Sequence, residues 1–455
     1  MFPFMAQGHT IPLLDMSKEF SRRGLIVTII TTPSNSSTVS KYIQADSNIH
    51  VKEIPFPSTP DLPNGCENTS QLPSMSLIVP FLRATLKLQQ PFEEILQDMS
   101  RSGSLPICVI SDFFLSWTVP ICRKFGVPRY VFHGMGVFSM VLIKAIEMHV
   151  PHLMIRSETE SINIPGLELP FPLTLPDKPH SVMDHIDPVS QFVCEEIVNW
   201  EVQSFGIIVN SFMELESEHH VASLESFYHD GCKAWCVGPI LLYNEMEEVN
   251  RSHDFNPSDP YIKWLDDRDT QKSVIYVSFG TQADVSDKQL DEIAYGLEMS
   301  GHPFIWIVRS KTWALPDGIE KRIKGRGLIV KDWVDQRSIL AHRATGGFLS
   351  HCGWNSVLES LCMGVPLIAW PMMAEQPLNA KFVVEVLKAG LQVPIKCDEI
   401  ITVHRDVICD VVKKLMGSNV GKQVKEKAEA LGKMARQAVQ KGGSSHKNLN
   451  DLLEG

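Results

Sequence analysis

The sequence predicts an α/β protein of two doubly wound, Rossmann-like domains facing each other across a cleft. Three observations lead there. At 455 residues the chain exceeds what one compact core organises, so two domains of ordinary size are expected. Short apolar runs alternate with amphipathic helical stretches through both halves, the order that produces parallel sheets. Between the halves, residues 241–260 carry Glu245, Glu247, Glu248, Asp254 and Asp259 with Pro257 and Pro260, a composition suited to a solvated linker.

Composition excludes several function classes. The chain is 44% hydrophobic and 21% charged, as soluble globular proteins are. A net charge of −11 argues against a nucleic-acid or anionic-membrane surface. The ten cysteines are scattered, and Cys232 and Cys236 lack a second pair at zinc spacing, so they read as buried thiols in a reducing compartment. Residues 1–7 are too short for the apolar region of a signal peptide, and no apolar run approaches membrane-spanning length; the best, around Val137 to Ile143, is broken at Lys144. A cytoplasmic protein is expected, with the sequons at Asn35, Asn68 and Asn250 as chance matches.

In the first half, Met1 to Phe4 reads as the end of a strand. Ala6-Gln7-Gly8-His9 turns into a helix with Leu13, Leu14, Ser17 and Phe20 inward and Asp15, Lys18 and Glu19 toward water. Gly24 stops it, and strands follow at 25–32, 49–54, 107–110 and 129–132, with helices at 75–99 and 134–149. Ligands of such sheets bind at the carboxyl ends of strands. His9 and Asp112 stand at two of those ends. Alone, His9 reads more readily as a hydrogen-bonded surface group and Asp112 as a helix cap. Together they suit a base and its orienting carboxylate. Pro165, Pro170, Pro172, Pro176 and Pro179 make 151–188 an irregular loop over the cleft. Helices at 189–205 and 214–227 flank a strand at 206–210.

The second half starts with Asp267-Arg268-Asp269, an Asp-x-Asp pattern that reads more readily as an exposed turn than as a metal site. A buried strand at 273–279 exits through Gly280-Thr281, and Ser286 with Gln289 forms a capping box for a helix to Met299. Strands at 303–308 and 328–330 follow, and helices at 377–388, 403–416 and 421–439 close the chain. No Gly-x-Gly-x-x-Gly and no Walker loop is present. The richest stretch is Trp333 to Gln376, WVDQRSILAHRATGGFLSHCGWNSVLESLCMGVPLIAWPMMAEQ. Gly346 to Ser350 is a buried strand that turns through His351-Cys352-Gly353 into a helix opening at Trp354-Asn355-Ser356. Backbone N–H groups and the positive dipole end converge there, which makes a phosphate site.

That stretch closely resembles the signature box of the plant family 1 UDP-glycosyltransferases, with Trp333, Gln336, His351 to Ser356, Glu359, Gly364, Pro366, Trp370, Glu375 and Gln376 in register. Ala6 to His9, Ile110-Ser111-Asp112 and Tyr276 to Gly280 resemble further landmarks of that family in the same order, so the resemblance covers essentially the whole chain. It implies the inverting two-domain GT-B fold, with residues 1–240 binding the acceptor and 261–435 the UDP-sugar. Residues 436–455 would form a C-terminal helix packing back on the first domain.

The resemblance also implies roles. Trp333 stacks on uracil, the Val334 backbone reads its edge, and Gln336 and Glu359 hold the ribose. Thr281, His351, Gly353, Asn355 and Ser356 serve the diphosphate; Trp354, Glu375 and Gln376 hold the sugar, with Gln376 in the glucose-preferring form. His9 is the general base, backed by Asp112. Phe113, Phe114, Trp117, Met135 and Phe138 are acceptor-pocket candidates, or else ordinary core. The implied partners are a UDP-sugar donor, UDP-glucose first, and a small lipophilic acceptor. No cofactor, metal, nucleic acid or membrane insertion is implied, and a monomer is expected.

Three departures stand out. Val334-Asp335 replaces the family's Ala-Pro, Thr281 replaces serine, and the first strand lacks its usual opening residues, so fraying there would loosen His9. A UDP-sugar-binding protein with little turnover, or an enzyme using another UDP-sugar, is the alternative.

Overall fold

The computed structural model describes residues 1–44, 46–149, 157, 160–177, 188–248, 259–268, 270–283, 285–310, 312–394 and 402–454. The chain forms two compact units. One comprises Met1–Lys144, Ser181–Asn250 and Ala438–Gly455; the other comprises Ala145–His180 and Arg251–Gln437.

In the first unit, β1 (Val27–Thr31) and β2 (Ile49–Glu53) pair in parallel. Four more strands form a second parallel ladder: β3 (Val109–Asp112), β4 (Arg129–His133), β5 (Gly206–Val209) and β6 (Lys233–Cys236). Met1 and Phe2 join the two ladders. Ile30 N–H donates to the Met1 carbonyl at 2.8 Å, Phe2 N–H to Ile110 at 2.8 Å, and Asp112 N–H to the Phe2 carbonyl at 3.0 Å. The expected fraying is therefore corrected: this short segment is bonded on both sides, and Phe2 and Phe4 are 0% and 2% exposed. Phe2 sits against the rings of Phe92 and Trp117, at 5.7 and 5.8 Å between centroids.

The second unit holds β7 (Val274–Ser278), β8 (Phe304–Ile307), β9 (Gly327–Val330), β10 (Thr345–Ser350), β11 (Leu367–Ala369) and β12 (Gly390–Gln392). They run parallel in the order β12-β11-β10-β7-β8-β9. The chain thus winds outward from β7 one way and from β10 the other, the doubly wound arrangement of a Rossmann domain. The first unit winds likewise, outward from Met1–Phe2 through β1 to β2 and from β3 to β6. In such sheets the loops leaving the two central strands part at the reversal, which is where ligands bind. Two switch points result: one beyond Phe2 and β3, the other beyond β7 and β10.

Several local expectations are corrected. Asp15 points inward, 1% exposed, because Tyr42 Oη at 2.5 Å and Asn244 Nδ2 at 2.7 Å both donate to it. Asn244 lies on the helix Leu241–Glu248, where a linker was expected; Leu241, Leu242 and Tyr243 are buried, and 249–258 fall outside the described residues. Ser286 caps its helix by accepting from Gln289 N–H at 3.3 Å, but the Gln289 amide bonds both backbone groups of Val403 instead of closing the box. The helix expected at 214–227 breaks at Ser217, whose φ is +68°. Of the proline-rich loop at 151–188, residues 151–156, 158, 159 and 178–187 fall outside the described residues, while Ile162, Ile164, Phe171 and Leu173 are buried in the second unit. The terminal helix Ser444–Glu454 belongs to the first unit, where Asn448 Nδ2 donates to the Cys236 carbonyl at 3.0 Å.

Phe2 is the side chain on which the first switch point rests. Phe2→Ala should destabilise the protein by about 3–5 kcal/mol, the usual cost of emptying a buried aromatic site. Denaturant melts of the two proteins measure this, and a difference below ~1 kcal/mol would contradict the packing described.

Candidate active site

At the first switch point, the helix Gln7–Arg22 begins one residue after Ala6, so His9 lies in its first turn. His9 Nδ1 is 2.8 Å from Asp112 Oδ2. The imidazole is 31% exposed, whereas the carboxylate is fully buried. The other carboxylate oxygen accepts from Phe114 N–H at 3.0 Å, so Asp112 is at once a cap and the partner of His9. Its main chain is also fixed. Asp112 N–H bonds Phe2, and buried Arg129 donates through Nη2 to the Asp112 carbonyl at 2.9 Å. Phe4 and Phe114 flank the imidazole, 5.4 and 5.6 Å from its centroid. A neutral histidine bonded this way carries its proton on Nδ1, which leaves Nε2 as the basic nitrogen.

At the second switch point, β7 exits through Gly280-Thr281 and β10 through His351-Cys352-Gly353 into the helix Trp354–Cys362. The two exits interlock around one imidazole. A Cβ on Gly280 would lie 2.8 Å from His351 Nε2, and one on Gly353 would lie 2.6 Å from it. Gly280 also has φ +77°, so a side chain there is excluded twice. Burial pushes the His351 pKa down to about 4, against the raising effect of a hydrogen bond to the Ser278 main chain, so the ring is uncharged at neutral pH. The resemblance has His351 serve the diphosphate; as a neutral ring it leaves the positive potential there to the helix N-terminus.

Behind that turn the ribose candidates form a cluster. Gln336 Nε2 donates to Ser356 Oγ at 3.0 Å and to Glu359 Oε2 at 2.7 Å, and Tyr276 Oη donates to Gln336 Oε1 at 3.2 Å. Arg337 Nε holds the other Glu359 oxygen at 3.1 Å. Asp335, at the proline position of the family box, caps the helix Gln336–Ala341 by accepting from Arg337 N–H at 3.1 Å. Its carboxylate is thereby directed onto the helix, so the departure substitutes a cap for a rigid ring. Trp333 is 61% exposed while Val334 is buried, which leaves a broad indole face open to stacking.

The sugar candidates lie beyond β11. Gln376 Oε1 accepts from Met372 and Met373 N–H, both at 2.9 Å, which directs the amide nitrogen away from the loop as a donor. Glu375 Oε1 accepts from Asn379 Nδ2 at 3.2 Å. Trp354 is buried, packed on Phe382 at 6.3 Å between rings.

A crevice with uncharged donors around a helix N-terminus, beside a carboxylate–amide cluster and an exposed indole, suits a nucleoside diphosphate. Comparison with known proteins agrees. The family described as UDP-glucoronosyl and UDP-glucosyl transferase matches residues 252–422, and a glycosyltransferase N-terminal domain matches residues 1–242. The chain belongs to the plant UDP-glycosyltransferases. UDP-glycosyltransferase 90A1 of Arabidopsis thaliana is 39% identical over 470 residues, covering 100% of this chain and 95% of its own length. Scopoletin glucosyltransferase of Nicotiana tabacum is 36% identical over 471 residues, covering 100% and 96%. Among solved structures, UGT73P12 of Glycyrrhiza uralensis, complexed with glycyrrhetinic acid 3-O-monoglucuronide, superposes with a TM-score of 0.87 at 31% identity, covering 100% of this chain and 94% of that one. UGT2 of Phytolacca americana, complexed with UDP-2fluoro-glucose and pterostilbene, gives 0.82 at 29%, covering 100% and 98%.

The acceptor-pocket expectations for this UDP-glycosyltransferase divide. Trp117 and Phe138 are 3% and 2% exposed and are corrected to core: Trp117 packs on Phe2 and Phe92, and Phe138 on His220. Phe113 and Met135 are half-buried, and Phe113 contacts Phe114 beside His9. Sequence reasoning missed Arg129, Arg337 and Asn379. Only Asn379 left a usable signal, because residues four apart on a helix are neighbours and Glu375 precedes it by four.

The His351 pKa sets a pH signature. It lies below the unfolded value of 6.5, so the unfolded chain takes up the proton first as pH falls. The stability associated with neutral His351 is complete above pH 6.5 and is lost as pH falls toward about 4. Melting temperatures of wild type and His351→Gln across pH 4–7 should therefore converge on acidification; parallel curves would contradict the assignment.

Proposed function

We propose that the chain transfers glucose from UDP-glucose to a hydroxyl of a small lipophilic acceptor, with inversion, so that an α-linked donor gives a β-glucoside. The observation that carries this reading is the bonded His9–Asp112 pair at a switch point, with apolar Phe4 and Phe114 around it. His9 Nε2 takes the acceptor's proton, and buried Asp112 stabilises the imidazolium that forms. The acceptor oxygen bonds to the anomeric carbon as the bond from that carbon to UDP breaks, and the electron pair departs with UDP.

The leaving diphosphate is met by the N-terminus of the helix Trp354–Cys362, with Thr281, His351, Asn355 and Ser356 as donors. Those groups supply the stabilisation that a divalent ion supplies elsewhere, so the reaction needs neither metal nor cofactor. Gln336 and Glu359 hold the ribose, and Trp333 holds the uracil. Gln376 donates and Glu375 accepts at the sugar hydroxyls, a pairing suited to glucose. The relatives that carry glucosyltransferase and UDP-2fluoro-glucose in their descriptions support this donor, and pterostilbene and scopoletin support a phenolic acceptor. The same reading has the enzyme working as a cytoplasmic monomer; among the described residues no helix is long and apolar enough to cross a membrane.

Transfer from UDP-glucose across a panel of phenols, terpenoids and hormones, read by mass spectrometry, tests the reading. His9→Ala should lower the rate by about 10²-fold or more, the usual weight of a general base. Chelator should leave the wild-type rate unchanged. Near wild-type transfer by His9→Ala would remove the histidine from its role, and strict Mg²⁺ dependence would return attention to Asp267.

A further inference from the structure

Two non-glycine residues of the second unit adopt left-handed backbone at strand exits. Cys352, between His351 and Gly353, has φ +64°, and Ala374, immediately before Glu375, has φ +51°. Such conformations are unfavourable for residues with a Cβ and persist only where surrounding contacts impose them. One turn follows β10 and bears the diphosphate candidates; the other follows β11 and bears the sugar candidates. They are separate in sequence, and a buried side chain joins them.

That side chain is Asn379, fully buried on the helix Gln376–Lys381. Its Nδ2 donates to the Cys352 carbonyl at 2.9 Å and to Glu375 Oε1 at 3.2 Å. Both partners are acceptors, and one of them is charged. An amide nitrogen has two hydrogens and can serve both at once, without adding a charge beside the diphosphate. Aspartate at this position would face two acceptors with a third, and a lysine would place a cation in the interior. Asn379 also accepts its place in the helix from the same neighbour: its N–H bonds the Glu375 carbonyl at 3.1 Å.

We propose that Asn379 is a positioning residue for the donor sugar. Its amide ties the Glu375 carboxylate to the main chain of the His351–Gly353 turn, so that the carboxylate is held in place for the hexose. Donor selectivity then depends on a residue behind the site as well as on Glu375 and Gln376. The inference rests on the reading of Glu375 as a sugar-binding group.

Calorimetric titration of UDP and of UDP-glucose into wild type, Asn379→Ala, Asn379→Ser, Glu375→Gln and the Asn379→Ala/Glu375→Gln double variant tests it, alongside transfer from UDP-glucose and UDP-galactose. Asn379→Ala should weaken UDP-glucose by about tenfold and UDP by no more than about threefold, the scale of a lost hydrogen bond to a charged group. Its preference for UDP-glucose over UDP-galactose should fall about fivefold, and Asn379→Ser should show the same trend more weakly, which covers the case in which the alanine variant does not fold. In the double variant the sugar-dependent losses should not multiply, because both changes act through one carboxylate. Equal weakening of both ligands, or independent losses in the double variant, would overturn the proposal. A wild type that binds UDP-glucose with these variant effects yet transfers no sugar would leave the positioning role standing and overturn the proposed reaction instead.

Discussion

The reversal of winding direction in a parallel sheet is the constraint on which the rest depends. Where the chain winds one way from one central strand and the other way from its neighbour, their exit loops part and leave backbone groups open to a ligand. This protein has that arrangement in each unit. In the first, the exits of Phe2 and β3 deliver His9 and Asp112. In the second, the exits of β7 and β10 deliver Gly280-Thr281 and His351-Cys352-Gly353. The proposed base pair and the diphosphate candidates lie on or beside these exits, and the sugar candidates Glu375 and Gln376 follow β11, the next strand out from β10.

The two crevices differ in their electrostatics, and the difference follows from burial. Asp112 is a buried carboxylate held by a backbone N–H and by an imidazole, with the Arg129 guanidinium on its carbonyl. In the proposed reaction, the proton taken up by His9 would sit beside this carboxylate. Around His351 the logic is reversed: the ring is kept neutral by burial, and positive potential comes from aligned backbone dipoles. Fixed dipoles need no reorganisation as charge moves onto a leaving phosphate. The chain can therefore be acidic overall, at −11, and still serve an anionic donor.

Much of this was legible in the sequence. Strand positions were readable because parallel strands buried on both faces are continuous apolar runs, and β7 and β10 are wholly buried. The His9 and Asp112 pair was readable as a possibility from its positions at strand ends. Its 2.8 Å contact was not, since sequence order carries no information on the adjacency of Phe2 and β3. Trp117 and Phe138 were misassigned because an aromatic residue near a strand end looks alike in core and in pocket. Asp15 was misassigned for a related reason: its partners Tyr42 and Asn244 come from other helices, and no helical periodicity reports them. The half-formed box at Ser286 failed because Val403, distant in sequence, competed for Gln289.

The central claim is a division of labour: the second unit's switch point binds the nucleotide, and the first unit's supplies the base. Hydrogen–deuterium exchange of the whole chain with and without UDP tests it most directly. The account predicts new protection in peptides spanning 279–281, 333–336 and 351–359, with residues 6–10 and 110–114 unchanged. Protection centred on 6–10 and 110–114, with the second unit unaffected, would contradict it.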